Sequence, residues 1–217
     1  MQSEEIQDAY PRDASNWMRV ADLGAVERTR EAIERHGIST VLAENKAEAL
    51  SRLKEMIPRG SQVMTGASTT LDEIGFTETL KLNNEGWKNL KGEILAEKDP
   101  AKQMELRARS IFSEYYIGSV QAVTEEGEVV MASASGSQLA AYAFGTKNVI
   151  WVAGAQKIVK NLDEALKRVR EHSLLLEDKR MKGLGYRGSV IGKILLFERV
   201  GMGQKASLIL VNAPLGF

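Results

Sequence analysis

The chain contains no cysteine, and that absence removes disulfides, thiolate nucleophiles and protein-held iron–sulfur clusters together, because each needs a Cys sulfur. Any redox chemistry it serves must therefore sit on a bound cofactor or on a partner. Two histidines argue against a His-rich zinc site. His36, in Glu34-Arg35-His36-Gly37, reads as a helix C-terminus before a glycine cap, where an imidazolium favours the helix dipole. His172 ends another charged helix and reads the same way. There is no excess charge of either sign: 29 Lys and Arg balance 29 Asp and Glu. No global field draws in a nucleic-acid backbone or an anionic membrane. Long apolar runs are missing too, since nothing approaches the about 20 residues of a membrane helix. Glu4, Glu5 and Asp8 stand where a basic and then apolar leader would begin, so the expectation is a cytoplasmic protein.

What is present is ordinary globular composition: 217 residues, 43% hydrophobic and 27% charged, enough to bury a core without staples. The expected organisation is an N-terminal helical extension over 1–37 and one α/β domain over 38–217. Trp17, Val20, Leu23, Val26 and Ile33 lie at near-helical spacing within 14–36, which predicts one amphipathic helix or two broken at Gly24. Ile38 to Ala43 reads as a strand. Asn45 with Glu48 opens a helix that ends before Pro58, and Ser61 to Thr65 is the next strand. Residues 76–114 are mostly helical in pattern, with Asp99-Pro100 starting a helix that runs to about Glu114. Tyr115 to Val123 then reads as one strand, Thr124 to Gly127 as a tight turn and Glu128 to Ala132 as the returning strand. A helix over Gln138 to Phe144, an apolar strand over Val149 to Ala153 and a helix over Asn161 to Arg170 follow. Ile194 to Glu198 and Ser207 to Val211 predict a closing hairpin. Alternating helices and continuous apolar strands imply a mainly parallel, doubly wound sheet, with ligands at the carboxyl ends of its strands.

Four segments at such ends carry candidate chemistry. Gly66-Ala67-Ser68-Thr69-Thr70 joins a strand to a helix, where small residues admit an anion close to free N–H groups and three hydroxyls add donors. Helix capping by Ser68 or Thr69 accounts for part of this run but not all of it. In the segment Ser119 to Gly127, Thr124, Glu125 and Glu126 place carboxylates beside a strand end, as base, nucleophile or ribose binder, or else simply form an exposed turn. Ser135-Gly136-Ser137 repeats the small, hydroxylated helix entry. Lys157 follows the most apolar strand, where it would neutralise a ligand anion. The basic, glycine-containing stretch 179–193 reads as a solvated linker, a mobile lid or a partner-docking arm.

Taken in order, Thr65 to Gly75, Ala122 to Gly127, Phe144-Gly145, Val149 to Gly154, Lys157-Ile158-Val159 and the ending Leu210 to Phe217 resemble the LUD domain family, the lactate-utilisation proteins of the LutC and YkgG type. The likeness covers about residues 15–217, and the ordered set is more specific than any one motif. It implies a fold similar to the NagB, RpiA and CoA-transferase-like group, and a part in oxidising lactate to pyruvate together with iron–sulfur partner proteins. Gly136-Ser137-Gln138 stands where relatives commonly have Gly-Asn-Arg, which loses a guanidinium. The cysteine cluster that some relatives carry near residues 174–192 is absent. Other readings the residues allow are a free-standing enzyme on a phosphorylated sugar or CoA-like substrate, with Glu125 or Glu126 as base or nucleophile, and a ligand-binding protein without turnover.

Overall fold

Asp22, Asn45, Ser68, Asn89, Asp99 and Asn161 each offer a side-chain oxygen to a free backbone N–H at a helix start, and these caps punctuate the chain. The computed structural model describes residues 16–217, so Glu4, Glu5, Asp8 and residues 14 and 15 of the expected first helix lie outside it. The chain runs through α1 (Leu23–Arg35), β1 (Ser39–Ala43), α2 (Lys46–Glu55), β2 (Gln62–Thr65), α3 (Thr69–Glu73) and α4 (Phe76–Leu82). There follow β3 (Lys88–Asn89), α5 (Leu90–Ala96), α6 (Pro100–Arg109), β4 (Tyr115–Ser119), β5 (Ala122–Thr124) and β6 (Val129–Ser133). The remainder is α7 (Ser137–Ala140), β7 (Asn148–Gly154), β8 (Ile158–Val159), α8 (Leu162–Arg168), α9 (Leu174–Gly183), β9 (Lys193–Phe197) and β10 (Lys205–Val211). No helix among the described residues is long and apolar enough to cross a membrane.

Six strands form one all-parallel sheet in the order β1-β10-β7-β4-β2-β3. Strand periodicity sends alternate residues to opposite faces, and β7 obeys it. Val149, Trp151 and Ala153 join Ile33 of α1, Ile94 of α5 and Leu139 of α7 in one core. Ile150 and Val152 join Leu53 of α2, Leu71 of α3 and Phe76 of α4 in the other. Helices thus cover both faces, and the fold is a doubly wound α/β sheet. A second sheet, β8-β5-β6-β9, stands beside the first, and α8 closes its outer core. The fully buried Trp151 connects the two sheets, edge-on to Tyr142 at 5.6 Å and to Phe197 of β9 at 5.1 Å.

Several expectations need correcting. Tyr115 to Val123 is not one strand: β4 pairs in the parallel sheet, whereas β5 pairs with β6 and β8 in the other. The chain changes sheets at Val120-Gln121, where the Gln121 carbonyl accepts from Arg168. The closing hairpin does not form either, because β9 pairs with β6 and β10 runs parallel between β1 and β7. Gly24 does not break the first helix. It sits in the first turn of α1, which Asp22 caps, while Trp17 belongs to a separate short turn. The helix from Pro100 ends at Arg109, and the one after Ser137 passes into a π-helical turn at Ala141. Of residues 179–193, the first five belong to α9, which extends to Gly183, and Lys193 opens β9, so the connection is shorter than expected, 184–192.

Gly127, in the β5–β6 turn, has φ 101° and an added Cβ would lie 2.8 Å from the carbonyl carbon and oxygen of Ala32 in α1. A side chain there meets both positive φ and backbone that cannot swing away. We predict that Gly127→Ala lowers the unfolding free energy by about 2 to 3 kcal/mol in urea titrations. An unchanged midpoint would contradict the close approach.

Candidate functional site

The carboxyl ends of β2 and β4 and the turn after β7 open onto a cavity of about 460 Å³. β2 delivers Gly66 to Thr70 to its wall. At Gly66 the open face of the backbone is filled by the Gln138 amide, whose Oε1 would lie 2.5 Å from an added Cβ. Ser68 Oγ accepts from the Leu71 N–H at 3.3 Å, so it is the helix cap. α3 has only five residues, too short for a helix dipole of much strength to hold an anion. The positive charge of the cavity comes from side chains instead. Lys91 of α5, Arg107 of α6 and Arg180 of α9 line it, with Lys157 deeper in the wall, against one acidic side chain, Glu177. Glu177 is already committed, receiving two 2.7 Å bonds from Arg180. Lys91 donates to the Gly66 carbonyl at 2.9 Å, and burial, foremost, lowers its pKa.

Lys157 is 1% exposed. Its Nζ donates to Thr70 Oγ1 and to Ser119 Oγ, each at 3.0 Å, and it meets no carboxylate among the described residues. Burial, followed by the field of Arg168, pulls its pKa well down, and Glu73 opposes them. Arg168 is itself fully buried, donating to the carbonyls of Gln121 and Trp17 and to Ser173 Oγ. Burial lowers it to about 9, so it stays cationic at neutral pH. On β4 the Tyr116 hydroxyl, beside Gly66, is pushed up to about 12, chiefly by burial, and remains neutral.

Of the residues singled out in the sequence, Gly66, Ser68, Thr69, Thr70, Ser135, Ser137 and Lys157 share this cavity. Gly136 lies just behind its wall with φ 86°, where a Cβ would strike Lys193. Thr124, Glu125 and Glu126 do not join them. Thr124 is buried and hydrogen-bonded to Glu128 within the β5–β6 turn. Glu125 pairs with Arg28 of α1 at 2.8 Å, and Glu126 is exposed. The change of sheet at Gln121 carries this turn away from the carboxyl ends of β2 and β4, so the pocket wall expected of Thr124 and Glu125 is not built. Lys91, Arg107 and Tyr116 carry no such signal in the sequence, although Lys91 follows the Asn89 cap, and of the segment from Ser119 to Gly127 it is the beginning, at Ser119, not Thr124 or Glu125, that reaches the cavity. Arg180 lay within the basic stretch, whose role as a wall only the folded chain reveals.

His172 is 2% exposed, and its Nε2 has no hydrogen-bond partner among the described residues. Burial, then Arg168 and Lys157, hold its pKa down at about 4. An unfolded histidine titrates near 6.5, so protons enter the unfolded state first as pH falls and stability rises with pH across this window. We predict that up to about 3 kcal/mol is lost between roughly pH 6.5 and 4 through this group. His172→Gln should flatten the difference between urea midpoints at pH 7 and pH 4.5. An equal pH slope in the variant would remove His172 from the account.

A family model described as the LUD domain matches residues 26–188. No curated protein matches the chain. Among solved structures, a DUF162 family protein from Deinococcus radiodurans aligns with a TM-score of 0.54 at 10% sequence identity, over 89% of this chain and 100% of that one. The beta subunit of eIF2B from Chaetomium thermophilum aligns at 15% identity over 64% of this chain and 44% of that one, with a TM-score of 0.29. The Deinococcus likeness shows a shared fold. The family match runs from α1 past α9, well over half the chain, and spans the Gly66–Thr70 turn, Ser119 and Lys157. The chain belongs to the LUD domain family.

Proposed function

We propose that the cavity binds an organic anion and that the protein serves lactate utilisation, the oxidation of lactate to pyruvate, in the cytoplasm and alongside iron–sulfur partner proteins. Family membership supplies the lactate context. The observation that carries the binding reading is the charge of the walls, where Lys91, Arg107 and Arg180 face one acidic side chain, Glu177, that Arg180 already holds. Lys91 and Arg180 are half-buried, and such cations attract an anion more strongly than solvated ones, because less water screens them. Arg107 makes no ion pair among the described residues, and its planar fork suits a carboxylate or a phosphate. With no cysteine in the chain, partners would carry the iron–sulfur clusters and the electrons.

The size of the cavity favours a second reading. At about 460 Å³ it falls in the range of about 300 to 1,000 Å³ that holds drug-sized ligands, well beyond what a three-carbon acid fills. A phosphorylated sugar or a CoA-like molecule would use that volume, either in a free-standing enzyme or in a binding protein.

A thermal-shift series with lactate, pyruvate, ribose 5-phosphate, AMP and CoA separates these readings. A compound that binds only the folded state adds about 2.7 kcal/mol at a hundred times its Kd. We expect at least one anion to raise Tm, and the Lys91→Gln, Arg107→Gln double variant to lose that rise while staying folded. Shifts from the phosphorylated compounds alone would favour the second reading. If no anion acts on the wild type the anion-binding reading fails, and if the shift survives in the double variant the binding site is elsewhere.

A further inference from the structure

Ser119 at the end of β4, Lys157 in the turn after β7 and Thr70 in α3 meet at the inner wall of the cavity. Their polar atoms close a triangle, with Lys157 Nζ 3.0 Å from Ser119 Oγ and 3.0 Å from Thr70 Oγ1, and the two hydroxyl oxygens 3.1 Å apart. Ser119 is partly exposed to the cavity, whereas Lys157 is enclosed behind it. A lysine at this depth ordinarily meets a carboxylate. This one meets two hydroxyls.

We propose that Ser119 is a nucleophile with Lys157 as its general base and Thr70 as a positioning residue, and that the cavity cleaves an anionic ester or thioester by acyl transfer. The inference rests on the anion-binding reading, since Lys91, Arg107 and Arg180 would hold the charged portion of the substrate. A serine hydroxyl is a weak nucleophile until a base takes its proton, and a lysine serves as that base when its amine is neutral. Burial and Arg168 push Lys157 toward the neutral amine. A neutral amine has a lone pair for the Ser119 proton and still donates to Thr70, and the same interatomic distances serve both arrangements.

In the forward step Ser119 Oγ bonds to the acyl carbon and its proton passes to Lys157 Nζ. The C–O or C–S bond breaks, and the leaving group departs with that proton. Water then attacks the acyl-serine and gives a proton to Lys157. Ser119 leaves with it, and the product is a carboxylic acid. No electrons change hands, so no oxidant or reductant is required. The charged and titratable groups facing Lys157 are Arg168 of α8, His172 of the turn that follows and Glu73 of α3.

The test uses the full chain and a small uncharged fluorophosphonate, which needs none of the cavity's cations. Ser119 Oγ would bond to phosphorus, with loss of fluoride and transfer of the proton to Lys157. Peptide mass mapping should find one adduct, on Ser119. It should vanish in Ser119→Ala and form at least ~100-fold more slowly in Lys157→Met. In the wild type the rate should fall as acid protonates Lys157, and Thr70→Val should move that pH profile, which a purely structural threonine would not. Circular dichroism checks each variant, and the wild-type pH profile stands without them. Absence of label on Ser119 in the folded protein overturns the nucleophile, as does an equal rate in folded Lys157→Met. If anions still raise Tm in that case, acyl transfer fails and the binding reading survives.

Discussion

A buried ammonium or amine at Lys157, bonded to Thr70 and Ser119, ties together three elements that the sequence keeps far apart. Thr70 comes from α3, which follows β2, Ser119 from the end of β4 and Lys157 from the turn after β7. β2, β4 and β7 are successive neighbours in the parallel sheet, so their carboxyl ends converge on one spot. Desolvating a lysine is costly unless polar partners replace its water. Two hydroxyls replace part of that shell, and Arg168 nearby makes the charged form still harder to hold. The result is a preformed polar corner that an anion would complete.

The packing beneath the corner keeps it in register. β7 sends Trp151 to one face and Val152 to the other, and both are fully buried. The chain after β10 folds back over the same corner: Gln156 Nε2 donates to the Leu215 carbonyl at 2.8 Å, and the Gly216 N–H donates to Glu73 at 3.2 Å. A Cβ on Gly154 would lie 2.4 Å from the Ala213 carbonyl oxygen, so that strand end needs a glycine for the return segment to lie against it.

Local signals were legible in the sequence because their causes are local. The Asn45 cap with its Glu48 partner, the Asp99-Pro100 helix start and the apolar run of β7 each depend on neighbours a few residues away. The Gly66–Thr70 turn and Lys157 were legible as strand ends of a doubly wound sheet. The pairing of strands was not. β4 and β5 are separated only by Val120-Gln121, and β9 and β10 look like a hairpin by spacing, yet each pair divides between two sheets. Nothing in their own composition records which distant strand completes them. The same holds for Lys91, Arg107 and Arg180, which sit on three separate helices as ordinary surface-type cations and become one electrostatic wall only when α5, α6 and α9 assemble around the cavity. Thr124-Glu125 misled for the opposite reason, as a polar strand end that belongs to the wrong sheet.

The state of the Lys157 amine links all of this, and nitrogen-15 NMR of the lysine side chains reads it directly. The expected result is one lysine, assigned through Lys157→Gln, that titrates well below the others in the free protein and moves upward when a binding anion such as AMP or pyruvate is added. A Lys157 that titrates with the surface lysines, or that ignores an anion known to raise Tm, would contradict the account.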